Sequence, residues 1–232
     1  MRKFLALLWF AASTTQAQVP EAGTFRYELF DNSDRRVGTY SFTIVKEGSV
    51  WRIASEMDVD TEVFFLKVRL RDHNNFTHDG QTFLSFQLKY FKDVPLQKTV
   101  DKKIEGRLEG SSWTLTSMQD GKEVRKNLPA SAFTEVRNLI SRLISPEAIV
   151  RPGEKRTALS LDPLTFQVDH VESRGLREES VDFQGKKRHL YVIEQKADDG
   201  DVLVKKFDNG LIYRSQTAEG YAFLQSAVTP EF

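Results

Sequence analysis

Four histidines are the first residues in this sequence that could do chemistry, because imidazole binds metals and exchanges protons near neutral pH. His73 and His78 lie five residues apart in RDHNNFTHDG, with Asp72 and Asp79 beside them. These four side chains could all be metal ligands, but their spacing matches no standard metal-binding pattern. Polar residues are also what a turn requires. We therefore predict a turn here, and no metal site or cofactor.

Nucleophilic catalysis has even less support. The chain contains no cysteine, and neither a Gly-x-Ser-x-Gly elbow nor a Ser-x-x-Lys motif occurs. Carboxylates are plentiful, but they scatter along the polar faces of predicted strands. We expect no catalytic residues and a protein that is not an enzyme. A hydrolase that uses a pair of carboxylates is the least favoured alternative.

Charges are balanced along the chain, with 33 Lys+Arg and 33 Asp+Glu. Short basic clusters such as Lys186-Lys187-Arg188 are interleaved with acids, and lysines of this kind often protect edge strands from aggregation. A nucleic-acid-binding domain would instead concentrate positive charge on one surface. The composition therefore gives no reason to expect a nucleic acid as partner.

Residues 1–17 have the three parts of a secretory signal peptide. Two basic residues come first, then a nine-residue apolar run from Phe4 to Ala12, then small residues that end at Ala17. The run is too short to span a bilayer, which needs about 20 residues. We expect cleavage after Ala17 and a mature chain from Gln18 without stable membrane insertion. Export without disulfides fits the bacterial periplasm best.

Alternation of apolar and polar residues dominates the rest of the chain and predicts strands with one buried face. It is clearest in the runs 37–46, 50–60 and 83–91. Asp-Gly or Asn-Gly pairs between such runs predict tight hairpin turns. The fold class is therefore mainly β, an antiparallel meander of about a dozen strands. The four turn pairs are Asp79-Gly80, Asp120-Gly121, Asp199-Gly200 and Asn209-Gly210.

One segment, SAFTEVRNLISRLIS (131–145), has apolar residues at helical spacing instead. Ser131 could cap its first turn, and Pro146 follows its end. We predict one amphipathic helix over 131–145, which either packs on the sheet or covers an apolar cavity. Residues 18–232 would then form a single β-rich domain, with β segments at about 24–128 and 155–228 around the helix.

Some predicted strands are apolar on both faces, which requires either a second layer or a neighbouring cavity. Val63-Phe64-Phe65-Leu66 breaks the alternation, and Phe83 and Phe91 lie opposite the apolar face of their own strand. Aromatic-rich cavities inside curved sheets are typical sites for apolar ligands. An ordinary two-layer core is the alternative. The candidate lining residues are Phe64, Phe65, Phe83, Phe91, Phe133, Val136, Leu139 and Leu143.

Three stretches resemble exported bacterial families that are classed as domains of unknown function. They are FRYELFDNSDRRVGTYSFTIVKEGSVWRIASEMDVD (25–60), LISRLISPEAIVRPGEKRTALSL (139–161) and DVLVKKFDNGLIYRSQTAEGYAFLQ (201–225). Such families resemble the lipoprotein-carrier-like fold of the periplasm, a curved antiparallel half-barrel with a helix at its concave side. The resemblance implies an apolar or lipid-like ligand.

These observations support one functional hypothesis and one main alternative. The first is a periplasmic, non-enzymatic binding or carrier protein for an apolar or lipid-like ligand. The alternative is a structural or assembly factor of the cell envelope that docks a protein partner through exposed strand edges. A concave cavity lined by phenylalanine and leucine would favour the first, whereas a filled core beside a bare strand edge would favour the second.

Overall fold

The computed structural model describes residues 22–63, 66–79, 83–136, 149–197, 200–218 and 220–228. These residues form fifteen strands and one short 3₁₀ turn. The first eight strands are β1 (Gly23–Asp31), β2 (Arg36–Glu47), β3 (Val50–Val63), β4 (Leu66–His78), β5 (Phe83–Asp93), β6 (Val100–Glu109), β7 (Ser112–Gln119) and β8 (Lys122–Pro129). After the 3₁₀ turn at Ala130–Ala132 come β9 (Glu135–Val136), β10 (Lys155–Asp162), β11 (Gln167–Phe183), β12 (Lys186–Ala197), β13 (Gly200–Phe207), β14 (Ile212–Gln216) and β15 (Gly220–Val228).

All fifteen strands belong to one sheet, in the order β8-β7-β6-β5-β4-β3-β2-β1-β15-β14-β13-β12-β11-β10-β9. Each strand pairs with its sequence neighbours within β1 to β8 and within β9 to β15, and β1 pairs with β15 to join the two halves. The β9–β10 pair is parallel, and the others are antiparallel. The prediction of a mainly β, antiparallel fold is confirmed. The strands number fifteen rather than about a dozen, and the sheet is not closed into a barrel, since β8 and β9 are its edges within the described part of the chain.

The tight turns use residues that tolerate a left-handed backbone. Asp120 and Gly121 have φ angles of 52° and 72° and connect directly paired ends of β7 and β8. Positive φ at both central residues defines the type I′ turn, whose twist matches that of a hairpin. Asn209-Gly210 lies in the connection between β13 and β14. Both turn predictions are confirmed, whereas Gly80 and Asp199 of the other two pairs lie outside the described residues.

The polar stretch RDHNNFTH is a strand, not the turn that its composition predicts. Each residue from Arg71 to His78 pairs with a residue of β3. Polar side chains at Asp72 and Asn74 lie on the same face as Phe76, because alternate residues of a strand share a face. The prediction of a turn here is wrong, since long-range pairing with β3 outweighs the local turn preference of aspartate and asparagine.

The described beginning of the predicted helix is not α-helical, since Ser131 and Ala132 lie in the 3₁₀ turn and an extended segment follows. Phe133 has an extended backbone, with φ −151° and ψ 155°. Glu135 and Val136 pair in parallel with Ser160 and Leu161 of β10. The helix prediction is therefore wrong for 131–136, because pairing with β10 satisfies this backbone and buries Val136 completely. Residues 137–148 lie outside the described residues, and no helix in the described part is long and apolar enough to cross a membrane.

Cross-strand pairing defines one buried face of β1 to β7, which we call the inner face. Tyr40, Phe42 and Ile44 on β2 are only 1–2% exposed, as the alternation predicts. A Cβ atom on Gly106 would lie 2.2 Å from Cε1 of Phe86, so the phenylalanine ring occupies the space over the glycine backbone. The aromatic part of the inner face is therefore closely packed rather than empty.

The two ends of the sheet approach each other through side chains. The Lys126 ammonium on β8 donates to the Phe166 carbonyl at 2.8 Å, and Lys102 on β6 donates to the Leu164 carbonyl. Both carbonyls belong to the turn between β10 and β11. The sheet is thus curved into a barrel-like shape whose ends are joined by side-chain contacts.

Candidate functional site

An aromatic row runs along the inner face and contains two of the predicted lining residues. Ring centroids lie 5.9 Å apart for Phe83 and Phe76, and 6.4 Å apart for Phe76 and Phe86. Trp113 continues the row, 5.8 Å from Phe86 and 5.0 Å from Phe133. All five side chains are at most 5% exposed. The structure therefore brings Phe83 and Phe133 together in one packed row, linked by three aromatic residues that the lining prediction omitted.

A β-bulge places Phe83 in this row. The register between β4 and β5 shifts at His78, which pairs with Phe83, so that Leu84 is an extra residue on β5. An extra residue reverses the alternation of faces beyond it. Phe83 therefore shares the inner face with Phe86, and the prediction that the two lie on opposite faces is wrong.

The other predicted lining residues are placed differently. Phe91 is half-buried, and its cross-strand partners Arg71 and Asp101 are both exposed, which places it on the outer face. Val136 is completely buried beside its β10 partner Leu161. Phe64, Phe65, Leu139 and Leu143 lie outside the described residues.

The inner face changes from aromatic to polar toward one end of the strands. Tyr40, Met57, Asp72, Tyr90 and Lys102 are successive cross-strand partners on β2 to β6. Neighbouring strands lie about 4.8 Å apart, so these side chains form one contiguous line, which we call the polar row. It is assembled from five separate strands and forms no motif along the sequence.

Ser55 and Asn74 pair across β3 and β4 in the adjacent rung of the inner face. Asn74 Nδ2 donates to Ser55 Oγ at 3.3 Å. Tyr40 and Asn74 are each only 2% exposed. Among the described residues, the buried atoms Tyr40 Oη, Asp72 Oδ1 and Asn74 Oδ1 have no hydrogen-bond partner. Such atoms are uncommon in folded proteins, because each unmade hydrogen bond costs about 1–3 kcal/mol.

Burial governs the acid–base properties of the site. It raises the pKa of the Asp72 carboxyl above its ordinary value of 3.8, although the Asn74 amide opposes the change. Burial also raises the pKa of the Tyr40 phenol well above its usual range; the Ser55 hydroxyl opposes this, and the Asp72 carboxylate adds to it. The pKa of Tyr90 is raised by burial and then by Asp72. The surroundings therefore oppose negative charge at Tyr40, Asp72 and Tyr90.

An open pocket of about 330 Å³ lies beside the polar row, between β6 to β8 and the turn that joins β10 to β11. Its volume is at the lower end of the range typical of small-ligand sites. Val124, which is 58% exposed, and Phe166 contribute apolar surface. Lys102, Ser117 and Gln119 contribute polar groups. The pocket thus combines apolar surface with hydrogen-bonding groups.

The paired histidines do not converge on a shared site. His78 is 1% exposed, and its ring packs edge-on against Phe83 with centroids 5.0 Å apart. His73 is exposed, with Nδ1 3.4 Å from Glu56 Oε1. Positions five apart along a strand lie on opposite faces. The described residues include no cluster of three or more His, Asp or Glu side chains able to hold a metal ion.

Sequence reasoning missed the polar row, because residues 71–78 show no clear alternation of apolar and polar types. In the structure Asn74, Phe76 and His78 are buried and alternate with less buried residues, but only Phe76 among the three is apolar. The polar residue types therefore favoured a turn over a strand with one buried face. The remaining members of the row could not be grouped with Asp72 without knowledge of the strand register.

Comparison with known proteins identifies the fold of this chain but not its function. No protein-family model matches the sequence, and no curated protein matches it significantly. A β-barrel-like protein of domain of unknown function DUF1849 from Brucella abortus is similar in structure, with a TM-score of 0.56 and 11% identity over 91% of this chain and 97% of that one. A DUF1089 family protein from Pseudomonas aeruginosa has a TM-score of 0.42 and 9% identity, over 75% of this chain and 87% of that one. The first of these likenesses shows that the chain has a β-barrel-like fold.

Proposed function

We propose that the protein is a non-enzymatic binding or carrier protein that holds a lipid-like ligand against its inner face. The observation that carries the proposal is the set of buried, unpartnered oxygens of Tyr40, Asp72 and Asn74 at the polar end of an aromatic face. The aromatic part is packed, so the apolar body of such a ligand would lie against Val124 and Phe166 in the open pocket, with its polar end directed toward the polar row. Its polar end would complete hydrogen bonds that the described residues leave unmade.

The barrel-like fold supports the same proposal in a coarser way. Curved antiparallel sheets enclose an inner face that ligands occupy in many proteins. Fold alone does not define function, so the argument depends on the side chains of the polar row. A lipoprotein-carrier-like fold, which the sequence resemblance to exported families of unknown function implies, would fit the same class of ligand, a molecule with an alkyl or acyl chain.

The composition of the polar row favours binding over catalysis. It contains one carboxyl group, at Asp72, whereas glycoside hydrolysis normally needs two. Acyl transfer commonly uses a serine, cysteine or threonine beside a base, and the row contains none of these three and no histidine. The row does contain a phenol, a thioether and an amine, which suit recognition of a molecule that is part polar and part apolar.

Native mass spectrometry of the protein purified from its own source tests the proposal. We expect a co-purified molecule that is released on denaturation and that solvent extraction identifies as carrying an alkyl or acyl chain. The delipidated protein should then bind a fluorescent fatty-acid analogue saturably. The proposal fails if no molecule co-purifies and the analogue does not bind.

Two tyrosine variants provide a matched comparison, since each removes one phenolic hydroxyl. The Tyr40 hydroxyl is buried on the inner face, whereas the Tyr221 hydroxyl donates to Asp34 Oδ1 at 2.9 Å on the exposed surface. Tyr40→Phe should weaken binding of the co-purified molecule by about tenfold, the effect of one lost hydrogen bond of about 1.4 kcal/mol. Tyr221→Phe should leave it unchanged. Equal effects of the two changes would mean that the ligand does not contact Tyr40.

We further propose that the protein is exported to the periplasm, as residues 1–17 indicate. Expression of the full sequence in a Gram-negative host, followed by osmotic shock and intact-mass measurement, checks this. The expected product is periplasmic and begins at Gln18. A cytoplasmic product that retains Met1 would contradict it.

The alternative, an assembly factor that acts through a strand edge, has one surface in its favour. Within the described part of the chain, β8 pairs only with β7, and seven of its eight residues are exposed. However, this edge carries Lys122, Arg125 and Lys126, and charged residues of this kind hinder the addition of another strand. The edge therefore supports docking less well than the inner face supports binding.

A further inference from the structure

The unpartnered atoms of the site differ in whether they can donate or accept hydrogen bonds. Asn74 Oδ1 can only accept hydrogen bonds, and the same holds for Asp72 Oδ1 when the carboxyl is ionised. Tyr40 Oη can both donate and accept. The buried end of the site therefore presents mainly acceptors, and a complementary group must supply hydrogen-bond donors.

These acceptors belong to residues at neighbouring positions of the inner face. Asp72 and Asn74 are two residues apart on one face of β4, a separation of about 7 Å between Cα atoms. Met57 on β3 lies between Tyr40 on β2 and Asp72 on β4. The Cα atoms of Tyr40 and Asp72 are therefore separated by two strand spacings, about 10 Å. Tyr40, Asp72 and Asn74 thus occupy neighbouring positions of the inner face, and Met57 on β3 between Tyr40 and Asp72 adds an apolar surface.

An anionic group would be poorly accepted at this position. The Asp72 carboxylate would repel it, and no lysine or arginine of the described residues forms an ion pair with Asp72. Lys102, at the end of the polar row, is separated from Asp72 by Tyr90 and donates to the Leu164 carbonyl. The local electrostatics therefore favour a neutral or positively charged group.

We infer that the ligand is an amphiphile whose polar end donates hydrogen bonds, a hydroxyl or an ammonium group, to Tyr40, Asp72 and Asn74. This inference rests on the proposed function, because it assumes that a lipid-like molecule occupies the inner face. It goes further in excluding carboxylate and phosphate head groups from the buried end of the site.

Three probes that share a dodecyl-length chain test the inference: monolauroylglycerol, dodecylammonium and laurate. Binding to the delipidated protein is measured by displacement of a fluorescent apolar dye, below the micellar concentration of each probe and at a mildly alkaline pH that ionises laurate. We expect the two donating probes to bind at least about tenfold more tightly than laurate, a difference equivalent to about 1.4 kcal/mol.

Asp72→Asn and Glu105→Gln provide the matched variants, since each neutralises one carboxylate. Glu105 is exposed on the outer face of β6. Asp72→Asn should weaken dodecylammonium binding by about tenfold and reduce the discrimination against laurate, because the repelling charge is gone. Glu105→Gln should change neither value.

The possible outcomes separate the two proposals. Equal affinity for all three probes would overturn the inference and leave the proposed function intact. Tighter binding of laurate would also overturn it and would place the head group beside Lys102 and Lys122 in the open pocket. Failure of all three probes to bind, with no co-purified molecule, would overturn both proposals and leave buried water as the partner of these oxygens.

Discussion

Asp72 is the residue at which stability and ligand binding are expected to conflict. Its Oδ1 is buried, with no hydrogen-bond partner in the described part of the chain, and burial raises its pKa from 3.8. A raised pKa means that the native state binds this proton more tightly than the unfolded chain does. The ionised carboxylate therefore destabilises the fold at neutral pH. Side chains that reduce stability in this way are often retained for function.

Replacement of Asp72 with asparagine should accordingly stabilise the protein at neutral pH, because the amide has nearly the same shape and no charge. The gain in free energy of unfolding should be complete above the raised pKa. It should shrink as the pH falls toward 3.8 and vanish below it, where the carboxyl is protonated in both states. Urea melts across this pH range measure the effect, with Glu105→Gln as the control. Lower stability of the Asp72→Asn variant at neutral pH would contradict the prediction.

At the scale of elements, the bulge in β5 decides which aromatic residues enter the core. Leu84 is the extra residue that brings Phe83 to the inner face, where it is 4% exposed. Phe91, eight residues later on the same strand, remains half-buried on the outer face. Without the bulge, the even spacing between the two would place both on the outer face.

Phe83→Ala and Phe91→Ala therefore form a matched pair on one strand. Loss of the buried Phe83 ring should lower the free energy of unfolding by about 3–5 kcal/mol, because it removes contacts with Phe76 and leaves a cavity. Loss of Phe91 should cost about 1 kcal/mol. Urea unfolding of the two variants gives both values. A larger effect at Phe91 would show that the bulge is not where the structure places it.

At the scale of the whole molecule, contacts between distant parts of the chain hold the curved sheet in shape. β1 and β15 join its two halves at the centre, and Trp113 on β7 meets Phe133 near the opposite edge strand, β9. Both rings are at most 5% exposed. The Trp113–Phe133 contact therefore links the β7–β8 end of the sheet to the segment that leads into β9.

A double-mutant cycle measures this link. Trp113→Leu and Phe133→Leu should show a coupling energy of about 0.5–1.5 kcal/mol beyond their separate effects, as expected for a buried aromatic pair. Phe30 and Tyr221 have the same ring separation of 5.0 Å but are only partly buried, so their cycle is the reference and should give a smaller value. No coupling between Trp113 and Phe133 would show that other contacts hold the ends of the sheet together.

Much of the fold could be predicted from local patterns. The alternation of Tyr40, Phe42 and Ile44 predicts their burial, and Asp120-Gly121 predicts its turn, because face alternation and positive φ depend on neighbouring residues only. The segment Phe133–Val136 shows where local patterns fail. Its apolar spacing suits a helix, but an available partner in β10 makes it extended.

The sequence by itself determined the β class of this protein, its antiparallel pairing of neighbouring strands and two of its tight turns, since each follows from interactions within a few residues. Only the tertiary structure decided which side chains meet on the inner face. Register between strands and the bulge at Leu84 set those contacts, and both depend on pairing between residues far apart in the chain. For that reason Tyr40, Asp72 and Asn74 lie together although no motif connects them.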